Sequence, residues 1–93
     1  MAVTSLQVTL SGVTQVSATK IPCRWVQFQN NAAADMHIAD VNVSSSRGIK
    51  MTAAGGFFAP PTSDISAVHD LSQYYVVGTD TQLLDVVFDK VGS

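Results

Sequence analysis

Hydrophobic and polar residues alternate along much of this chain with the period of two that is typical of β-strands. Leu6, Val8 and Leu10 alternate with polar neighbours near the start, and residues 83–89 repeat the pattern near the end. Turns rich in Gly, Pro, Asn and Ser separate these short segments. The pattern predicts eight strands, over residues 5–10, 13–18, 21–29, 36–43, 49–52, 57–59, 74–77 and 82–91.

The connections between these segments are too short for a helical crossover, which favours antiparallel pairing. Short strands with regularly spaced turns are typical of an all-β fold. We therefore predict a single antiparallel β-sandwich or small barrel with little or no helix. The least strand-like region is 62–72, where Thr62 or Ser63 could cap a short helical turn. That turn would carry Ile65, Val68 and Leu71.

Strict alternation also assigns faces within the third predicted strand. It places Val26 and Phe28 on one face and Cys23, Trp25 and Gln27 on the other. Pro22 has no N–H for a ladder, so it belongs at the start of that strand or on a sheet edge.

Two later strands receive similar assignments. Ile38 and Val41 would point inward, with a bulge near Asp40 to accommodate their spacing. In the last strand, alternation leaves Asp85 and Asp89 as ordinary solvated positions on the outer face.

Composition agrees with a small β-rich domain. The 93 residues fit one domain, spanning residues 1–93, in which residues 1–10 form an edge strand or an arm. The thirteen valines and eight threonines favour strands because they are β-branched. Charged residues make up 13% of the chain, against about 25% in an ordinary soluble domain. All seven acidic residues are Asp, and the formal net charge is −2.

This composition argues against several classes of protein. Five scattered basic residues form no face for nucleic acid, and no apolar run is long enough for a membrane span. The N-terminal sequence lacks the basic and apolar regions of a signal peptide. The single cysteine, Cys23, has no partner for an internal disulfide, which fits a reducing cytoplasm.

The sequence contains no recognisable catalytic constellation. His37 and His69 lack the spacing of a metal-binding pair, and we expect both at the surface or in loops. No nucleophile elbow or phosphate loop is present. We expect a protein that is not an enzyme and that carries no metal and no cofactor.

Aromatic side chains are the best candidates for a partner interface. If both adjacent pairs lie in strands, one member of each pair must point away from the core. We predict that one member lies inside and the other at a subunit contact, because aromatics are enriched at interfaces. An exposed pair such as Trp25 and Tyr75 could alternatively stack on a sugar. The candidate interface residues are Trp25, Phe57, Phe58, Tyr74 and Tyr75.

A series of short motifs covers about three quarters of the chain, from Cys23 onward. They comprise Cys23 and residues 25–31, 36–40, 43–49, 46–51, 55–56 and 70–78. Their order resembles that of small virion proteins encoded in the structural gene clusters of tailed bacteriophages. Ala39 departs from the pattern, since such proteins often have Gly there.

The resemblance implies a β-sandwich structural protein of the virion, in particular a capsid decoration (cement) protein made in the host cytoplasm. Such proteins are oligomers, often trimers, that hold neighbouring subunits of the major capsid protein together. A head-tail connector, a tail component or a carbohydrate- or receptor-binding module of a fibre are the alternatives. The N-terminal segment would be a swapped edge strand or an arm that contacts the shell.

Overall fold

The computed structural model describes residues 3–60 and 68–91. The region predicted as a short helical turn therefore lies mostly outside the described residues. Its last residues are described: Val68 is exposed, whereas Leu71 is buried at the start of a 3-10 helix, Leu71–Gln73. The Asp70 side chain caps this helix by accepting a hydrogen bond from the Ser72 backbone N–H.

The described residues contain nine short strands, and every pairing between them is antiparallel. The prediction of an all-β, antiparallel fold is confirmed. The strands are β1 (Val3–Thr9), β2 (Thr14–Gln15), β3 (Pro22–Asn30), β4 (Met36–Ala39), β5 (Ile49–Met51), β6 (Gly56–Phe58), β7 (His69–Asp70), β8 (Tyr75–Val77) and β9 (Leu83–Lys90).

Two sheets enclose the core. The first has the order β1-β9-β3-β6. β6 pairs with the end of β3, and β7 pairs with the start of β3 along the same edge. The second has the order β2-β8-β4-β5. β9 therefore lies between β1 and β3, although it follows them by more than fifty residues in the sequence. β1 forms one edge of the first sheet.

The core consists of inward-facing side chains from both sheets. Phe28 is at its centre, fully buried, with its ring stacked on Phe58 at 6.1 Å and tilted against Tyr74 at 5.0 Å. Met36, Ile38, Met51 and Val76 contribute from the second sheet and Val8, Leu84 and Val86 from the first. A contiguous apolar cluster of this kind is what stabilises so small a domain.

A bulge in β3 overturns the face assignment of Cys23, and the solvated position predicted for Asp89 is also wrong. Between the pairs Cys23–Lys90 and Val26–Phe88, β3 has two residues where β9 has one. The extra residue brings Cys23 onto the inner face with Val26, and its exposed fraction is 0%. It also places Arg24 and Trp25 opposite Asp89, which is only 2% exposed and not solvated as predicted.

The strand around Ile38 is shorter than predicted. β4 ends at Ala39, and Asp40 begins a turn in which its carboxylate accepts a hydrogen bond from the Asn42 N–H. Val41 is 61% exposed at the tip of that turn, so its inward assignment was wrong. The apolar residue that returns to the interior is Val43, which is 3% exposed.

Candidate functional site

The outer edge of β1 is the first candidate surface. The Leu10 N–H donates to the Gln82 carbonyl on the β9 side, so Leu10 directs its backbone polar groups toward that strand. Backbone direction alternates along a strand. The N–H and C=O groups of Val3, Ser5, Gln7 and Thr9 therefore point away from β9, toward an edge on which no other described strand lies.

This edge lacks the features that usually prevent association. β1 has seven residues, Val-Thr-Ser-Leu-Gln-Val-Thr, with no proline and no charged side chain. Natural proteins commonly protect exposed edges with lysine, proline or bulges, because open edges pair with other chains. An uncharged edge of this length is a ready-made template for an added strand.

The outer face of the first sheet carries a polar groove. Gln7 on β1 lies directly opposite Asp85 on β9, which in turn lies opposite Gln29 on β3. The Asp85 carboxylate accepts hydrogen bonds from Gln7 Nε2 and from Asn31 Nδ2, both at 2.8 Å. Gln27 Nε2 donates to Gln29 Oε1 at 3.1 Å. Strands distant in sequence thus bring together two neighbouring hydrogen-bonded groups, Gln7–Asp85–Asn31 and Gln27–Gln29.

The five aromatic residues predicted at a partner interface occupy different environments. Phe58 and Tyr74 are half-buried and pack against the core. Phe57 is 60% exposed on the outer face of the first sheet, next to Gln29. Trp25 precedes the buried Val26 and lies on that same outer face, half-buried.

Tyr75 lies on the outer face of the second sheet, because its neighbour Val76 points into the core. Trp25 and Tyr75 therefore project from opposite sides of the molecule. They do not form the coplanar stacking pair that the sequence left open.

An apolar groove of about 320 Å³ lies between the two sheets, where Phe58 and Tyr74 reach the surface. Ile38 and Ile49 complete its apolar walls, and Ile49 is 46% exposed. Two of the five predicted interface residues, Phe58 and Tyr74, thus line this apolar groove, and both also pack their rings against Phe28 in the core.

Both histidines lie in strands and are half-buried, contrary to the expectation that they are surface or loop residues. His69 Nδ1 is 3.3 Å from the Tyr74 hydroxyl, and its carbonyl accepts a hydrogen bond from Cys23 Sγ. Burial, with the negative charges of Asp70 and Asp89, raises the pKa of the Cys23 thiol to about 11. A thiol with so high a pKa is a poor nucleophile at neutral pH.

The described part of the chain contains no group of three or more metal-ligating side chains. Within the same residues there is no helix long and apolar enough to cross a membrane.

Comparisons with known proteins do not identify a relative. No family model, no curated protein and no solved structure matches the chain. The fold and the surfaces above are therefore the basis for inferring function.

Proposed function

We propose that this chain is a structural protein that assembles through the open edge of β1, most specifically a phage capsid decoration protein. The observation that carries the assembly step is the uncharged, seven-residue edge strand. Strand addition uses the main-chain hydrogen bonds of an exposed sheet edge, and side chains on alternate faces then select the partner. The role in the virion rests on the resemblance of the motifs from Cys23 onward.

Low charge supports the same proposal. Burying ionised side chains at a contact is costly, whereas the edge of β1 offers only neutral residues. Two copies of an uncharged strand can pair antiparallel without bringing like charges together. Antiparallel pairing of two β1 edges joins two copies, whereas the trimer that the resemblance implies would pair β1 with a different edge of the neighbouring copy. In either form, self-association precedes attachment to the major capsid protein.

A proline substitution tests the edge without removing the existing ladder. The Ser5 N–H points away from β9, so Ser5→Pro deletes a donor that only an added strand would use. Ser5→Ala is the matched control, since it changes the side chain and keeps that N–H. We expect wild type and Ser5→Ala to sediment as multiples of the 9.8 kDa chain, and Ser5→Pro to sediment as one chain.

Two results would contradict the proposal at different levels. A wild-type mass of a single chain at micromolar concentration would refute self-assembly. Electron cryo-microscopy of particles assembled with and without the protein tests the role in the virion, where added density on the head surface is expected. Density at the neck or tail would indicate a connector or tail component, and no density on the particle would refute a virion role.

A further inference from the structure

The polar groove on the outer face of the first sheet consists of two adjoining hollows. The larger, about 620 Å³, lies over β1, β9 and β3, and the smaller, about 360 Å³, continues beside it to Gln82. Gln7, Asn31 and Asp85 line both hollows and form the bridge between them. Each hollow is in the size range of small-ligand sites, and together they follow β9 from Val87 to Leu83.

The lining has a distinctive chemistry. Five side-chain amides face the two hollows, those of Gln7, Gln27, Gln29, Asn31 and Gln82. Every amide provides both N–H donors and an acceptor oxygen. Among the described residues, neither lining contains Lys, Arg or His, and the one charged group is the Asp85 carboxylate. This set matches a ligand rich in hydroxyl groups, which also donate and accept, and it disfavours phosphate, sulfate or carboxylate ligands.

The amides are held in place before any ligand arrives. Asp85 fixes Gln7 and Asn31, and Gln29 accepts from Gln27 while its own Nε2 donates to the Gly55 carbonyl at 2.8 Å. The Gln82 side-chain oxygen accepts from the Ala33 N–H at 3.2 Å. Gln7, Gln27 and Asn31 each use one side-chain N–H in these bonds and keep the other N–H and the side-chain oxygen, whereas Gln82 keeps both of its side-chain N–H groups. Preorganisation of this kind reduces the entropic cost of binding.

Apolar surface adjoins the amides. Val87 is 37% exposed within the larger hollow, and Phe57, 60% exposed, lies across the strand pair from Gln29. A pyranose ring has apolar C–H faces and polar hydroxyl edges, and it can use both kinds of surface at once. Sites for small molecules combine apolar contact with a few fixed polar groups in the same way.

From these observations we propose that the groove binds a neutral oligosaccharide, with successive sugar units in the two hollows on either side of the Gln7–Asp85–Asn31 bridge. This site lies beside the free edge of β1, with which it shares Ser5 and Gln7, and it does not depend on the proposed role in the virion. A fibre-type receptor-binding role and a decoration role are both compatible with it.

Titration followed by nitrogen-proton correlation spectra tests the site. The probes are maltohexaose, cellohexaose and hexa-N-acetylchitohexaose, each raised to ~5 mM because weak carbohydrate contacts have millimolar dissociation constants. We expect at least one neutral probe to shift the side-chain amide signals of Gln7, Asn31 and Gln82. A heparin hexasaccharide is the charged comparison, and it should leave these signals unchanged.

Variants then locate the binding. Asp85→Ala removes the bridge, and Gln27→Ala removes an amide from the larger hollow, so each should weaken binding about tenfold or more. Gln73→Ala, an exposed amide outside both hollows, should bind as wild type does. The correlation spectrum of each variant verifies that it is folded.

Three outcomes would overturn the proposal: no amide shift with any neutral probe, shifts that map to the second sheet, or tighter binding of the charged hexasaccharide. The sedimentation mass of Asp85→Ala separates this proposal from the assembly proposal. It should equal that of the wild type, because Asp85 lies on β9 and not on the free edge.

Discussion

Asn30 connects three parts of the fold and was not distinguished by the sequence pattern. It ends β3, and its exposed fraction is 0%. Its Nδ2 donates to the carbonyls of Ala34 and Met51, both at 2.9 Å, and its Oδ1 accepts from the Ala32 N–H at 3.0 Å. One side chain thus joins the loop after β3 to the end of β5. We predict that Asn30→Ala destabilises the protein substantially.

The magnitude follows from the three bonds. The bond to the Met51 carbonyl is buried, and leaving a buried acceptor without a partner costs about 1–3 kcal/mol. The other two are partly buried, and each contributes about 0.5–1.5 kcal/mol. Central values of about 2 kcal/mol for the buried bond and about 1 kcal/mol for each of the others give an expected loss of about 4 kcal/mol. This is a large share of the roughly 5–15 kcal/mol that stabilises a typical domain.

Urea unfolding followed by tryptophan fluorescence measures this loss, with Trp25 as the chain's one tryptophan reporter. At a denaturant slope of about 1.5 kcal/mol/M, the midpoint should fall by about 2.7 M. Asn42→Ala is the matched control: Asn42 is exposed in the turn after β4, so its loss should stay within about 0.5 kcal/mol. A change below about 1 kcal/mol in Asn30→Ala would refute the assigned role of the three bonds.

Asn30→Asp provides a second test with a defined pH dependence. A carboxylate keeps the acceptor for Ala32 but cannot donate to the carbonyls of Ala34 and Met51. Burial beside two carbonyl oxygens raises the carboxyl pKa in the folded state, so the folded state binds more protons than the unfolded one. Relative to Asn30→Ala, the Asp variant should therefore gain stability as pH falls from neutral. An equal deficit at every pH would contradict this environment.

Three further predictions concern other buried or hydrogen-bonded groups. Burial raises the pKa of the Cys23 thiol from 9.0 to about 11, so the thiolate fraction of Cys23 at pH 8 should be about a hundredfold lower than that of an ordinary thiol. A disulfide reagent should therefore label Cys23 rapidly only after the protein is denatured. Rapid labelling of the folded protein would contradict this. The hydrogen bond from the Ala53 N–H lowers the pKa of the Asp35 carboxyl, so the ionised carboxylate stabilises the folded state above the unfolded pKa, and this contribution is lost as pH falls through the folded pKa. The stability deficit of Asp35→Asn should therefore be larger at neutral pH than near pH 2. A larger deficit near pH 2 would refute this. A Cβ at Gly56 would overlap the backbone of Thr52, so Gly56→Ala should lower the free energy of unfolding by about 1–3 kcal/mol and lower the thermal midpoint. An unchanged midpoint would show that the backbone of this turn can move to accommodate the methyl group.

The alternation of side chains predicted the strands well because burial on one face is a local property of the sequence. β1 and β9 follow the expected pattern, with Val8, Leu84 and Val86 buried. The pattern failed where an extra residue interrupts the ladder. A bulge is visible only when the partner strand is known, which is why the inward position of Cys23 was missed.

The candidate surfaces were less accessible to sequence reasoning than the strands. The groove depends on Asp85 lying between Gln7 and Gln29, and strand order in an antiparallel sheet is not a local property. The aromatic pairs show the same limit. The prediction that one member of each pair lies inside did not say which member, and the structure packs Phe58 and Tyr74 against the core. It also did not reveal that Trp25 and Tyr75 face opposite sides of the molecule.

The free edge and the groove share residues of β1, which determines how the two proposals can be separated. In a strand, side-chain direction and backbone direction alternate together, so Ser5 and Gln7 direct their backbone to the free edge and their side chains to the groove. A change at either residue can therefore alter both assembly and ligand binding. Asp85 lies one strand further in and affects only the groove. If Asp85→Ala abolishes oligosaccharide binding at unchanged mass, while Ser5→Pro reduces the mass and leaves the Gln82 signal responsive to the sugar, the two functions belong to separate surfaces. Loss of both functions in both variants would instead mean that the groove is complete only in the assembled protein.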